Sequence, residues 1–254
     1  MSAAAPRRGV AVVAGGSGAI GRSICRRLAA TGYDVALTYN SNAEAAAAAE
    51  ADVLAAGRAA MTRQLALNDA NAVGRVVEDV VAAMGGIDAA VYAAGPHLEF
   101  AFISEIRPED WRRVFDADVN GCFNFLSASL PHLRRSGAGA IVAVTTCATE
   151  KAPVRDILSA APKVAVEMLV KGIAKEEGRY GVRANCVAPG FMTDGVGGRI
   201  LARDAQMTEM IRRQVPLRRF GAADDVANMV GFLLSDEANY ISGQSIAVDG
   251  GYQL

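Results

Sequence analysis

The stretch Val10–Arg22, VAVVAGGSGAIGR, constrains this chain more than any other. An apolar run from Val10 to Ala14 breaks into glycine-dense sequence, and Ile20, Ile24 and Leu28 then recur at helical spacing. The order is strand, tight turn, helix. Gly15 and Gly16 permit positive φ and a close backbone approach, and Gly21 lets the helix lie tight on the strand. The free amides at the start of such a helix face a ligand, and the helix dipole there favours a pyrophosphate. Ala19 stands where a middle glycine would make the loop denser still. Alone, the pattern marks no more than a glycine-rich turn in an α/β protein.

The same alternation continues along the chain. Val35–Thr38, Ala59–Leu67, Ile87–Ala94, Ala140–Thr145, Val182–Val187 and Ser245–Val248 read as strands. Ala43–Ala56, Val73–Met84, Glu109–Pro131 in two pieces, Pro162–Glu177, Val196–Gln214 and Asp224–Leu234 read as helices. Strands apolar on both faces that alternate with helices form a parallel sheet covered on both sides. The expected fold is α/β of Rossmann type, a doubly wound, seven-stranded parallel sheet with right-handed crossovers. No linker or repeat divides it, so residues 1–254 are expected to be one dinucleotide-binding domain.

Composition narrows the partners. Twenty-six basic residues face 27 acidic ones without a basic block, which argues against nucleic acid. Cys25, Cys122, Cys147 and Cys186 are scattered in apolar surroundings without metal-ligand spacing, as buried, reduced thiols are. No apolar run reaches membrane-spanning length, and Met1–Pro6 lacks a leader's hydrophobic segment. A soluble, cytoplasmic protein acting on a small molecule, with no metal, is expected.

Over its whole length the sequence resembles the short-chain dehydrogenase/reductase family. Ala14–Gly21 is similar to the family's TGxxxGxG, with Ala14 for threonine and Ala19 for the middle glycine. Tyr92-Ala93-Ala94-Gly95 stands where the family has NNAG, and Ala188-Pro189-Gly190 with Thr193 resembles its PG…T segment. Pro216–Gly221, Ile241–Gln244 and Val248–Tyr252 are close to its C-terminal signature. The resemblance implies a nicotinamide dinucleotide held by Gly15, Ser17, Ala19, Ile20 and Gly21. Further contacts would come from Tyr39, Asn40 and Ser41, from Ala66 and Leu67, from Ala93, Ala94 and Gly95, and from Lys163, Pro189, Gly190 and Thr193. It also implies a homotetramer, assembled through Glu109–Pro131, Pro162–Glu177 and the C-terminal strand, with Met168, Leu169 and Ile173 as exposed apolar positions.

The family's active site resembles Asn…Ser…Tyr-x-x-x-Lys, in which tyrosine exchanges the substrate proton and lysine lowers its pKa and holds the ribose. Here Lys163 is in place, but Ser159 stands four residues before it. Thr146 falls at the family's serine and Asp118 at its asparagine, with Asn120 two residues off. A serine hydroxyl is a far weaker acid than a phenol, and its side chain ends several ångströms short. A positioned general acid contributes about 10²- to 10⁴-fold, so ordinary carbonyl reduction should suffer while cofactor binding survives. Thr146 keeps a hydroxyl to orient a carbonyl, and the Asp118 carboxylate is free to pair with Lys163 or act as a base.

Candidates for a replacement acid begin with His97, just past the fourth strand on the side where ligands lie. Arg155 and Asp156 face the same cleft in the family's layout, though loop charges are ordinarily solvated. Glu150 and Lys151 read as a solvated pair, His132 as structural, and Trp111 with Phe115 as core or subunit contact. Tyr92 lies on the cofactor side and Tyr180 in a turn, and neither restores the missing phenol.

At the end of the second strand Tyr39, Asn40 and Ser41 replace the acid that would repel a 2′-phosphate, so NADP(H) is favoured over NAD(H), although no arginine stands at 16–18. Three readings stay open. The first is an NAD(P)(H)-dependent oxidoreductase for a small carbonyl or alcohol with its own proton donor among Lys163, Thr146, Ser159, Asp118 and His97. The second is a nucleotide-binding regulatory or structural homologue without catalysis, and the third a non-redox dehydratase or isomerase.

Overall fold

The computed structural model describes residues 6–96, 98, 100–195, 198 and 205–254. Within them lie strands β1 (Gly9–Ala14), β2 (Tyr33–Tyr39), β3 (Ala60–Gln64), β4 (Ala89–Tyr92), β5 (Ala140–Val144), β6 (Arg183–Pro189) and β7 (Ser245–Val248). The principal helices are α1 (Ala19–Ala30), α2 (Ala43–Ala55), α3 (Ala70–Met84), α4 (Pro108–Phe115), α5 (Gly121–Ser136), α6 (Ala148–Lys151), α7 (Ile157–Glu177), α8 (Ala205–Gln214) and α9 (Ala223–Leu233). All seven strands pair in parallel in the order β3-β2-β1-β4-β5-β6-β7. The expected doubly wound sheet is therefore present. The order reverses between β1 and β4, where open α/β sheets bind ligands beyond the carboxyl ends of their strands.

Period-two alternation sorts each strand's residues between two cores. Ala11, Val13, Val35, Leu37 and Val91 pack beneath α1, α2 and α9, against Ile24, Leu28, Val53 and Val230. Val10, Val12, Ala90, Tyr92 and Ile141 pack beneath α3, α5 and α7, against Val77, Phe125, Leu126, Val166 and Val170. Leu28, Phe125 and Leu126 are fully buried, and such side chains each stabilise the fold by about 1.5–3 kcal/mol.

Three expectations are corrected here. Helix α7 begins at Ile157, so Pro162 is interior and buried rather than at the helix start. Ile173 is buried in the second core, while Met168 is 65% exposed. Of the two places expected for Trp111 and Phe115, core or subunit contact, the first does not hold. Their rings stack on each other with centroids 4.7 Å apart, and Trp111 is exposed. His97 and the greater part of 196–204, where the helix expected over Val196–Gln214 begins, lie outside the described residues. No described helix is long and apolar enough to cross a membrane.

Candidate active site

Four loops meet at the carboxyl edge of the sheet, after β1, β4, β5 and β6. In the first, Gly15 adopts φ +82°, and a Cβ there would lie 2.7 Å from the Ala94 backbone. Gly21 is required for a second reason, because a Cβ on it would meet Gly15 O at 2.1 Å. Helix α1 therefore sits directly on the loop. Its N-cap, Gly18, offers no side chain to the first-turn amides, and no acid stands in that turn. An uncapped helix N-terminus framed by glycine at the switch point fits the pyrophosphate of a dinucleotide. Ser17, Ala19 and Ile20 lie on this lip, partly or fully exposed.

The end of β2 carries Tyr39, Asn40 and Ser41, and the last two are exposed. The Asn42 side chain accepts from Ala45 N at 2.9 Å and so caps α2, and Asn40 O accepts from Gln64 Nε2 at 2.8 Å. Asp52, on α2, is engaged by Arg22 at 2.6 Å. Ala66 is exposed, and Leu67 O holds Asn124 Nδ2 at 3.0 Å.

The centre of the site is a cluster that the sequence reading half anticipated. Lys163 Nζ lies 2.8 Å from Asp118 Oδ1 and 3.3 Å from Ala94 O. The two side chains are 11% and 3% exposed. The Tyr92 phenolic oxygen is 3.0 Å from the same Asp118 Oδ1 and 3.0 Å from the Asp118 main-chain oxygen. Lys163 Nζ also stands 5.1 Å from the Tyr92 ring centroid. Asp118 reaches inward because Asp116–Asn120 forms a π-helical turn between α4 and α5, a device frequent at functional sites. Asn120 points elsewhere, to Asp116 at 3.1 Å.

Burial and the neighbouring Asp118 carboxylate push the Tyr92 phenol well above its ordinary range, so it is a fixed donor to Asp118 and no proton source. Asp118 in turn spends Oδ1 on Lys163 and Tyr92, which argues against a free base. The role of Tyr92 went unread in the sequence. Its signal was a lone tyrosine closing an aliphatic strand, because a buried phenol needs a partner.

After β5, Thr146 Oγ1 accepts from Ala148 N at 3.2 Å, leaving its hydroxyl hydrogen available to a ligand oxygen. A second unread group underpins this segment. The buried Glu167 carboxylate accepts from Thr145 Oγ1 at 2.9 Å, Ser245 Oγ at 2.8 Å and Thr149 Oγ1 at 3.4 Å. It ties β5, α6, α7 and β7 together around Thr146.

Ser159 is half-buried on the first turn of α7, and among the described residues its hydroxyl has no partner. Lys151 does not pair with Glu150 as expected. Its Nζ donates to Tyr252 O at 2.6 Å, bringing the C-terminal tail across the site, where the Tyr252 ring meets Phe191 edge-on at 4.9 Å. Past β6, a Cβ on Gly190 would stand 2.7 Å from Asp249 Cα, and Pro189 O accepts from Cys147 N at 2.9 Å. The Thr193 hydroxyl donates to Gly221 O at 3.2 Å. Burial pushes the Cys25 and Cys122 thiols up to about 12 and Cys147 to about 11, so none is a nucleophile near neutrality. The described residues hold no cluster of metal ligands.

The family described as enoyl-(acyl carrier protein) reductase matches residues 14–253. The 3-oxoacyl-(acyl-carrier-protein) reductase FabG of Staphylococcus aureus (strain Mu50 / ATCC 700699) is 34% identical over 244 residues, 96% of this chain and 98% of its own length. This chain belongs to the short-chain dehydrogenase/reductase family. A short-chain type dehydrogenase/reductase from Mycobacterium ulcerans superposes with a TM-score of 0.92 at 29% identity, covering 98% of this chain and 91% of that one. An NAD+-bound xylitol dehydrogenase gives 0.92 at 28%, covering 96% and 99%. Members of the family use NAD(P)(H).

Proposed function

We propose that this short-chain dehydrogenase/reductase is an NAD(P)(H)-dependent oxidoreductase for a small carbonyl or alcohol, working without the tyrosine of its family at position 159. The observation that carries the reading is the Lys163 ammonium, held in place by Asp118 Oδ1 at 2.8 Å and Ala94 O at 3.3 Å beside the glycine cradle. A decayed site has no reason to keep a buried, hydrogen-bonded cation aimed at the nucleotide's edge of the sheet. The bound nicotinamide would supply the hydride. Gly15, Gly21 and the first turn of α1 would take the pyrophosphate, and Lys163 the nicotinamide ribose. Ala93, Ala94 and Gly95, with Pro189, Gly190 and Thr193, would wall the nicotinamide side. Thr146 would orient the carbonyl oxygen with the hydroxyl hydrogen left over from its bond to Ala148 N.

NADP(H) is favoured over NAD(H) because Tyr39, Asn40 and Ser41 present no carboxylate at the end of β2, and Asn40 and Ser41 are exposed. Ala66 supplies no acid to the adenine, so affinity should be modest. A homotetramer fits the exposed apolar residues of α5 and α7, and a cytoplasmic setting fits four unpaired, buried cysteines. One observation favours the nucleotide-binding but silent reading, namely the short, unpartnered side chain of Ser159 beside Lys163. The non-redox reading loses ground because Asp118 is committed to Lys163 and Tyr92.

The deciding experiment follows NADPH and NADH fluorescence on binding, and their absorbance with a panel of aldehydes, diketones and β-keto thioesters. Oxidation of NADPH with at least one carbonyl is expected. Tight binding with no turnover across the panel would favour the silent homologue, and no binding would remove both readings.

A further inference from the structure

Helix α7 brings more than Lys163 to the site. Asp156, Ser159 and Lys163 fall at positions i, i+3 and i+7, a single stripe along one face of the helix. Asp156 is the N-cap residue of α7, and aspartate there normally accepts from a first-turn amide. Here its side chain makes no such bond. Its main-chain oxygen accepts instead from Ser159 N and Ala160 N, both at 3.0 Å. The carboxyl is half-buried, does not cap the helix and has no hydrogen-bond partner among the described residues.

The loop that delivers it is strained. Ala152 and Arg155 adopt φ of +43° and +69°, a region that costs residues bearing a Cβ and persists where the surroundings demand it. The nearby cations are engaged elsewhere, Lys151 with Tyr252 O and Arg155 with Phe100 O at 3.1 Å. Among the described residues, the titratable groups that face Asp156 are the Cys147 thiol at the start of α6 and the Tyr252 phenol of the C-terminal tail. Neither brings a positive charge. Ser159 is shorter than the phenol the family sets there, and it stands one turn along α7 from this carboxyl.

We propose that Asp156 is the proton donor to the substrate's carbonyl oxygen, replacing the phenol absent at position 159. This rests on the oxidoreductase reading above. The carbonyl carbon gains a C–H bond from the hydride and its electron pair, and the C=O π pair moves to oxygen. As that oxygen forms its O–H bond, the O–H bond of the Asp156 carboxylic acid breaks, and the carboxylate left behind is reprotonated by water. Burial holds the acid ready, because it raises the Asp156 pKa to about 6, within reach of neutral pH. His97 is not needed for the step.

The test joins a titration to a pH profile. Carbon-13 NMR of side-chain carboxyls in the nucleotide-free protein should reveal one aspartate titrating near 6, absent in Asp156→Asn. With NADPH and a carbonyl that the wild type reduces, kcat should fall as pH rises through about 6. Asp156→Asn should lower kcat at pH 6 about 100-fold, the lower end of general-acid effects, and flatten the profile. Asp156→Glu should keep the pH-dependent limb at reduced rate, which a merely structural role would not do. An Asp156 that titrates in the ordinary range, or a profile unchanged in a folded Asp156→Asn, overturns the proposal and leaves the oxidoreductase reading standing. A wild type that turns over no carbonyl removes the oxidoreductase reading, and the donor role with it.

Discussion

The Tyr92 phenol and the Asp118 carboxylate meet at 3.0 Å inside the protein, and the same carboxylate oxygen receives Lys163 at 2.8 Å. Strand β4, the π-helical turn and α7 are thereby joined through one atom. A buried ion pair of this kind is weak as a source of stability but costly to break from one side. Lys163→Met should therefore destabilise by about 3–5 kcal/mol, because it leaves a buried Asp118 charge without its counter-ion. Tyr92→Phe should cost about 1–3 kcal/mol through the lost phenol. In urea unfolding, Lys163→Met/Asp118→Asn should recover a good part of the single mutant's loss. A double mutant as unstable as the sum of its singles would show that the pair is not coupled.

The glycine loop carries a prediction of its own, and the structure changes which variant is informative. Gly15→Val is not a clean probe of phosphate binding. Its side chain meets the Ala93 and Ala94 backbone at 2.7–2.8 Å at positive φ, so the fold suffers along with the ligand. Gly18 is exposed at φ −71°, and a Cβ there meets only Gly15 O at 3.5 Å. Gly18→Glu should keep its circular-dichroism melt and weaken NADPH binding at least tenfold, by placing an acid where a pyrophosphate sits. Unchanged affinity in calorimetry would move the nucleotide elsewhere.

The strands were legible to within two residues, because runs apolar on both faces have few alternatives, save that the edge strand β3 stops at Gln64, three residues before Leu67. The misreadings share a physical cause, which is tertiary context overriding local signals. Pro162 reads as a helix start, since a first turn needs no amide donor. In the folded chain it is buried inside α7, which runs on from Ile157. The π-helical turn at Asp116–Asn120 is too short to leave a periodic trace, so the spacing located Asp118 without saying where its carboxylate goes. Tyr92 acts through Asp118, 26 residues away, and Glu167 through partners 18 or more residues away, and no local pattern encodes such pairs.

Assembly is testable on the outer faces of α5 and α7. Phe123 is 54% and Met168 65% exposed, and Val164, one turn before Met168 on α7, is exposed as well. Large apolar side chains on such a surface signal a partner when they are contiguous. Light scattering of the wild type at micromolar concentration should give a tetramer, and Met168→Glu a smaller species. A monomeric wild type would leave these residues without their proposed role. Ile173, buried within the chain, should not be used for this test.

Asp156 makes a stability prediction independent of catalysis. Its folded pKa of about 6 lies above the ordinary 3.8, so the fold favours the neutral acid. The stabilisation from that preference is fully present below the unfolded value and is lost as pH rises through about 6. Asp156→Asn keeps an uncharged side chain at every pH. Its melting temperature should exceed the wild type's at pH 8, and the gap should close towards pH 4. A gap that is constant with pH would mean that Asp156 is not held neutral by the fold.

Position 159 gives the last prediction. If the serine simply marked decay, Ser159→Tyr would restore an acid one turn before Lys163 and raise carbonyl reduction by about 10²-fold. Helix α7 is continuous there, so the new phenol would be carried on a regular turn. It would also put a bulky ring one turn from Asp156 and confront a Lys163 already paired with Asp118. The expected outcome is therefore the opposite sign. Ser159→Tyr should lower native turnover about tenfold or more while nucleotide binding persists, and Ser159→Ala should cost little. Thr146→Val should cost more than Ser159→Ala, since it removes the hydroxyl that Ala148 N leaves aimed at the substrate. Stopped-flow NADPH oxidation by the three variants decides the matter, and a faster Ser159→Tyr enzyme would mean that the native site has no donor of its own.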